Sequence, residues 1–548
     1  MSRAALRYDL SVPGTEQLID TDHTADQAHA GGRSDIILVP QPTSLAADPL
    51  NWSSLKKYYQ LFLLSLYACA FSYGENTLGA AWTEISEETG VTLTNMNGGS
   101  ALNYLLLGLT NVFWISAALK FGRRPVFLAT TVLCMCTGFW LGKFSGTAQW
   151  MANMALNGIG TSAYQAVIQL SIFDTFFAHE RGRMLSVYLF GQQLGSILGL
   201  ITGGAIADRI GWRWSQYIVG IIDASVLLLF IFTFEETAFP RFLFTRLEGV
   251  VPARDAEPTP SELDDDKHEP AKLKMTPTAG TTHTDVASLH GPEILPRTYL
   301  EKLKPWTYFP EDQTSFWVYV RRPFLLFTVP NIVIAGFIFA FGCTAGIVSF
   351  NTISSILSEP PYNFSTTATG LVFFAALIGS IIGWATGVLS DFIVLFLARR
   401  NRGVREPEMR LWTLCISFVY AGVGYMMYGW GAQAGLSWVV VAFGLGCMIA
   451  HQVSACTIAT AYAMECFPGI SGELVVVLAI CSSIINFALS YSIQPFIEAT
   501  GFGYAFLFYG LCVMGSMVAA VPTCIWGKQW RKNAAPRWAR WLAEREGR

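Results

Sequence analysis

Charge is what this sequence has least of. Of its 548 residues only 14 % are Asp, Glu, Lys or Arg, against the roughly 25 % usual in soluble domains. That shortfall excludes an ordinary solvated globule. It points to many segments facing hydrocarbon, where a central charge costs about 2.5–3.5 kcal/mol. An excess of either sign is lacking too: a net charge of −3 and a pI of about 6.2 leave no basic footprint for nucleic acid. The eleven cysteines lack CxxC pairing. Cys69, Cys134, Cys343, Cys447, Cys481 and Cys512 sit inside apolar runs and read as small buried side chains. Catalytic signatures are missing as well. "GKFS" and "GKQW" lack the glycine spacing and following hydroxyl of a phosphate-cradling loop, and "HERGR" lacks the second histidine of a zinc-binding HExxH. No enzyme, cofactor or metal site is expected.

What the chain has is long apolar stretches, with 52 % hydrophobic residues and a mean hydropathy of +0.40. Crossing the hydrocarbon takes about 20 mostly apolar residues. Such runs lie near 58–80, 99–119, 126–142, 150–173, 184–206 and 214–234, then near 324–349, 368–390, 411–430, 437–462, 474–497 and 502–526. The expected fold is an all-α membrane protein of twelve transmembrane helices in two six-helix halves, 55–234 and 321–527. A polar stretch at 1–54 reads as a disordered tail. Residues 235–320, with "DAEPTPSELDDDKHEPAKLK" and no surviving period, read as a flexible linker. Residues 528–548 form a basic tail.

Arg and Lys placement orients the chain. Arg123 and Arg124, Arg181 and Arg183, Arg399 to Arg410, and Lys528 to Arg545 all fall on one side of the spans, whereas 84–96 carries Glu84, Glu87 and Glu88. The positive-inside rule puts both termini and the linker in the cytosol. Arg209 and Arg213 are the exceptions, lying outside beside Asp208. The sequon at Asn363 faces outward and is a weak candidate for glycosylation; that at Asn51 faces inward.

Several stretches, in order and on the expected sides, resemble one family. "LKFGRRPVFL" follows span two, "DTFFAHERGRML" follows span four, and "GQQLGSILGLITGG" lies in span five. "GVLSDFIVLFLARRNRGVREPEMRL" follows span eight and "TAYAMECFPGISGE" closes span ten. Together they resemble the major facilitator superfamily, and within it the fungal twelve-span drug:proton antiporter type. The resemblance implies gating roles for Gly122, Arg123, Arg124, Asp174, Arg181, Gly195, Gly199, Gly203, Gly387, Asp391, Arg399 and Arg400. Physics supports part of this independently. The span-five glycines share one face and allow close backbone approach, and basic residues after a helix can be held by its C-terminus or by a carboxylate. The chain departs from the family pattern at Ile115 and Leu119 in the first gating loop, at Met154 in place of a fourth-span arginine, and at Leu200 in place of a proline.

A polar side chain within a span usually faces the bundle interior or a water-filled path. Tyr73, Glu75 and Asn76 in span one, Gln165 and Gln169 in span four, Gln193 in span five and Asn331 in span seven are the candidate pathway residues, with His451 and Gln452 in span ten and Asn486 in span eleven. The family resemblance puts these spans around a central cavity. Glu75 is the leading candidate for proton coupling and Asp223 the alternative; His451 could titrate near pH 6.5 or serve as a hydrogen-bonded core residue. The expected function is proton-coupled secondary transport of a small molecule by a monomer in the plasma or vacuolar membrane. Efflux of an organic metabolite, toxin or drug leads, and import of a small cationic or organic nutrient is the alternative. A channel or receptor suits the two-halves layout less well.

Overall fold

In hydrocarbon every backbone polar group must be paired within the chain, and a helix does this segment by segment. The computed structural model, which describes residues 12–17, 29–30, 33–38, 40, 42–43, 48–79, 81–239, 304, 315–364 and 366–545, is accordingly helical almost throughout. The first half holds α1 (Ser54–Asn76), the short α2 (Trp82–Thr89), α3 (Leu93–Phe121), α4 (Arg123–Leu141), α5 (Thr147–Thr175), α6 (Arg181–Ile210) and α7 (Trp212–Thr233). The second holds α8 (Phe316–Leu326), α9 (Pro330–Ser358), α10 (Thr366–Val372), α11 (Phe374–Arg400), α12 (Leu414–Gln433), α13 (Trp438–Cys466), α14 (Ser471–Val518) and α15 (Ala520–Arg545). A 3₁₀ turn, Pro407–Thr413, leads into α12.

Nine of the described segments are long and apolar enough to span a bilayer. The last of them, Ser471–Ala543, contains Gly501 at φ 81°, a left-handed conformation that reverses the chain, so it makes two crossings. α1 and α5 fall short in hydropathy because they carry polar residues such as Gln60, Glu75 and Asn76, or Asn153, Asn157 and Gln169. Counting them completes twelve spans. The pairing repeats between halves. α1 packs on α6, α3 on α5 and α4 on α7; α9 packs on α14, α11 on α13 and α12 on the end of α14. The halves meet where α3 lies against α14 and α6 against α11. Lipid-facing stripes are apolar and exposed, as at Ile221, Leu228 and Phe232 on α7 or Phe392 and Phe396 on α11.

Two stretches read as tails take structure. Within 1–54, Glu16–Gln17 (β1) pairs antiparallel with Val404–Arg405 (β4). His29–Ala30 (β2) pairs with Arg33–Ile37 (β3). The basic C-terminus continues as helix through Arg545, because Trp538 Nε1 donates to the Pro468 carbonyl at 3.0 Å and its ring packs into the core. The linker residues 240–303 and 305–314, Ser261 among them, lie outside the described residues. On the face opposite the basic loops, α2 explains one exception to the charge rule: Glu88 sits 2.9 Å from Arg213. Its carboxyl is held below the usual range by the Trp212 indole N–H and then by Arg213.

Candidate functional site

Span five packs on span one as its glycine spacing requires. Gly195, Gly199 and Gly203 lie so close to α1 that a Cβ on each would press on the carbonyls of Cys69, Tyr73 and Thr77. Two sets of residues four apart therefore interlock along the seam. Tyr73 accepts from Thr202 at 2.9 Å, and Asn76 donates to Ser196 at 3.2 Å, so both tie α1 to α6.

Glu75 turns the other way, into the first half. It lines a cavity of about 60 Å³ with Trp82, Asn103, Tyr104, Trp150, Met154 and Asn157 among the walls. The Tyr164 hydroxyl donates to Oε2 at 3.0 Å, while Oε1 is buried with no hydrogen-bond partner among the described residues. Tyr164 in turn accepts from Gln192 at 3.4 Å. Gln192 and Gln193 reach a second, much smaller cavity between the halves, shared with Tyr188, Cys343, Gln452 and Cys456. Gln169 donates to Tyr188 at 3.1 Å and so borders the same place. Met154, standing where the family has arginine, forms wall rather than counter-ion. The Gln165 side chain lies outside the described residues.

Other candidates are placed elsewhere. His451 is buried inside the second half, where Nδ1 lies 3.0 Å from the Ser417 hydroxyl, away from the inter-half cavity. Asn331 stands at the basic end of α9 and donates to Tyr462 at 2.9 Å and to the Gly527 carbonyl at 3.1 Å. Asn486 donates to Ser482 at 3.0 Å, one turn back. Asp223 is buried within the first half with Oδ1 unbonded among the described residues. Asn111 on α3 was not singled out by its sequence; it is fully buried with neither amide atom bonded among those residues. A polar residue in an apolar run was the available signal.

At the basic face several of the residues expected to gate form two charge clusters. Gly122 adopts φ 98°, and the turn it makes lets the Glu236 carboxylate accept from the Arg123 and Arg124 backbone N–H groups at 2.9 and 3.0 Å. A carboxylate at a helix N-terminus is favourable. Arg123 also pairs with Asp174 at 2.8 Å, and Arg181 stacks on Phe173. The second cluster joins the halves. Asp391 accepts from the Arg183 backbone N–H at 2.8 Å and from Arg410 at 2.8 Å. Arg410 then pairs with Glu465 at 2.9 Å, and Arg405 pairs with the same carboxylate. Arg399 and Arg400, which follow Asp391 on the same helix, are exposed, Arg400 lying over Phe396; the arginine paired with Asp391 is Arg410. Gly387 lies directly against Ser186 of α6, the approach that brings the halves together.

Two similar six-helix halves with polar stations inside and charge clusters across one face define a solute transporter. The Major Facilitator Superfamily profile matches residues 64–472, and the chain belongs to that superfamily; it is a transporter, not an enzyme. An uncharacterised MFS-type transporter of Schizosaccharomyces pombe is 26 % identical, over 98 % of this chain and 95 % of that protein. Protein HOL1 of Saccharomyces cerevisiae is 27 % identical, over 91 % and 90 %. The MFS antiporter QDR3 of Candida albicans is 22 % identical, over 93 % and 83 %. Among solved structures, the proton:xylose symporter XylE bound to 6-bromo-6-deoxy-D-glucose aligns with a TM-score of 0.56 at 15 % identity, covering 86 % of this chain and 96 % of that one. At that identity the likeness concerns the fold.

Proposed function

We propose that the chain is a proton-coupled secondary transporter of the fungal twelve-span drug:proton antiporter type, working as a monomer and exporting small organic molecules across the plasma or vacuolar membrane. The observation that carries this reading is Glu75, a buried carboxylate with one unbonded oxygen, linked through Tyr164 and Gln192 to the cavity between the halves. Exchange of a proton on that carboxylate as the halves rock would couple transport to a gradient. Similarity to a relative named as an antiporter supports the direction. A second reading, import of an organic cation, is favoured by the aromatic walls of the Glu75 cavity, Trp82, Tyr104 and Trp150, since rings and a carboxylate suit an ammonium group.

Reconstitution into vesicles with a trapped pH dye, challenged with a panel of neutral and cationic organic compounds, tests both. Export by antiport moves protons against the substrate flow; symport moves them with it. Glu75→Gln, which mimics the protonated acid, should abolish accumulation driven by a pH gradient while preserving substrate exchange. Continued accumulation in Glu75→Gln would move the proton site elsewhere, with Asp223 first in line.

A further inference from the structure

Nothing in the composition of Val12–Gln17 calls for order, yet the segment is held from several directions. Val12 is 1 % exposed. Gly14 takes φ 73°, and a Cβ there would collide with the Glu465 main-chain carbonyl and crowd that of Cys466. Arg531 reaches the segment from α15, donating through Nη1 to the Pro13 carbonyl and, at 3.3 Å, to the Thr15 hydroxyl. The same guanidinium is fixed by Glu408 at 2.9 and 2.7 Å. Glu16 lies 3.9 Å from Arg405, and its strand pairs with Val404–Arg405. All of these partners belong to the second half.

The wall opposite belongs to the first half. Gly14 and Glu16 border a cavity of about 240 Å³ at the basic face, closed on the far side by Leu119, Arg123, Asp174 and Arg181. Burial raises the pKa of Glu16, and Arg405 and Arg181, one from each half, draw it back down. To open toward this face, the second-half wall must part from the first. The segment is fixed to the second half and faces the first across this cavity, so the attraction between Glu16 and Arg181 is lost when the walls part.

We infer that Val12–Gln17 is a latch: docked on the second half as a tight turn, Val12–Thr15, followed by the short strand Glu16–Gln17, the segment lines the seam at the basic face, sets Glu16 toward the first-half Arg181 and stabilises the state closed there. The surface that receives it, Arg405, the Glu465–Cys466 main chain and Arg531, is a docking site for a short peptide turn centred on a glycine and followed by one acidic side chain. Loss of the Glu16–Arg181 attraction is then a step in opening, and undocking the segment from the second half removes that attraction and biases the transporter toward the open state.

The test uses the purified full-length protein in detergent, where both faces meet the reagent, so the outcome does not depend on membrane orientation or on proton coupling. A reporter thiol, Leu119→Cys, is placed on the far wall and a second, Trp82→Cys, on the opposite face; the parent's own thiols set the background. Gly14→Val should raise the alkylation rate of Leu119→Cys about tenfold, roughly what loss of one buried hydrogen-bonded contact would produce, and should not raise that of Trp82→Cys, on the face that closes as the basic face opens. Glu16→Arg, which faces two arginines, should move the rate in the same direction without altering the glycine. No rise at Leu119→Cys in either variant, or equal rises at both reporters, would overturn the latch.

Discussion

At the scale of single residues, burial and partnership separate the pathway candidates from the packing ones. Glu75 and His451 are both titratable groups inside spans, and in sequence they invite the same reading. Each keeps one buried polar atom unbonded among the described residues, Glu75 Oε1 and His451 Nε2, but Glu75 lines a cavity, whereas His451 is held at Nδ1 by Ser417, which also bonds Ser454 at 2.7 Å. His451→Asn should therefore keep pH-driven accumulation and lower stability by about 1–3 kcal/mol, the cost of leaving buried hydroxyls poorly satisfied. A thermal shift measured beside the transport assay checks both. Lost coupling with an unchanged melting temperature would return His451 to the pathway.

Between elements, two contacts decide how the bundle holds and moves. The α1–α6 seam depends on absent side chains. Gly195→Leu would drive a side chain into the Cys69 carbonyl and should cost about 1–3 kcal/mol through overpacking. The exposed neighbour Leu198→Phe should cost little, and melting curves in detergent compare the two. The α6–α11 contact is polar and carries the residues expected to gate. Asp391 holds the start of α6 by the Arg183 N–H and holds Arg410 by its other oxygen. Asp391→Asn removes the charge that makes both bonds strong. Surface expression should be normal and turnover slower, because the closed state at the basic face loses an inter-half tie. Unchanged turnover at normal expression would reduce Asp391 to a marker of topology.

For the whole molecule, the arrangement of charge should set orientation. A cysteine introduced at Ser261 should resist impermeant reagents in intact cells and react after permeabilisation, since the linker is expected in the cytosol. Labelling in intact cells would invert the assignment. Arg209 and Arg213 stand against the rule but are outnumbered by the basic residues of the other face; Arg213 pairs there with Glu88.

What the sequence determined alone was whatever is written locally. Length and hydropathy place most of the crossings, because the thickness of hydrocarbon is a fixed ruler; α1 and α5 are blurred by the polar residues they carry. Glycines four apart in span five announce a close seam, because helix geometry puts them on one face. The motif strings carry the family. Partners were decided only by the tertiary structure. No local rule says that Asp391 chooses Arg410 over the adjacent Arg399 and Arg400, that Glu236 closes the first gating loop, or that Val12–Gln17 seats on Glu465 and Arg531. Those pairings join residues from separate elements, up to 518 positions apart for Pro13 and Arg531. Which charge meets which is settled by how two six-helix halves pack, and that packing is a property of the assembled bundle rather than of any segment within it.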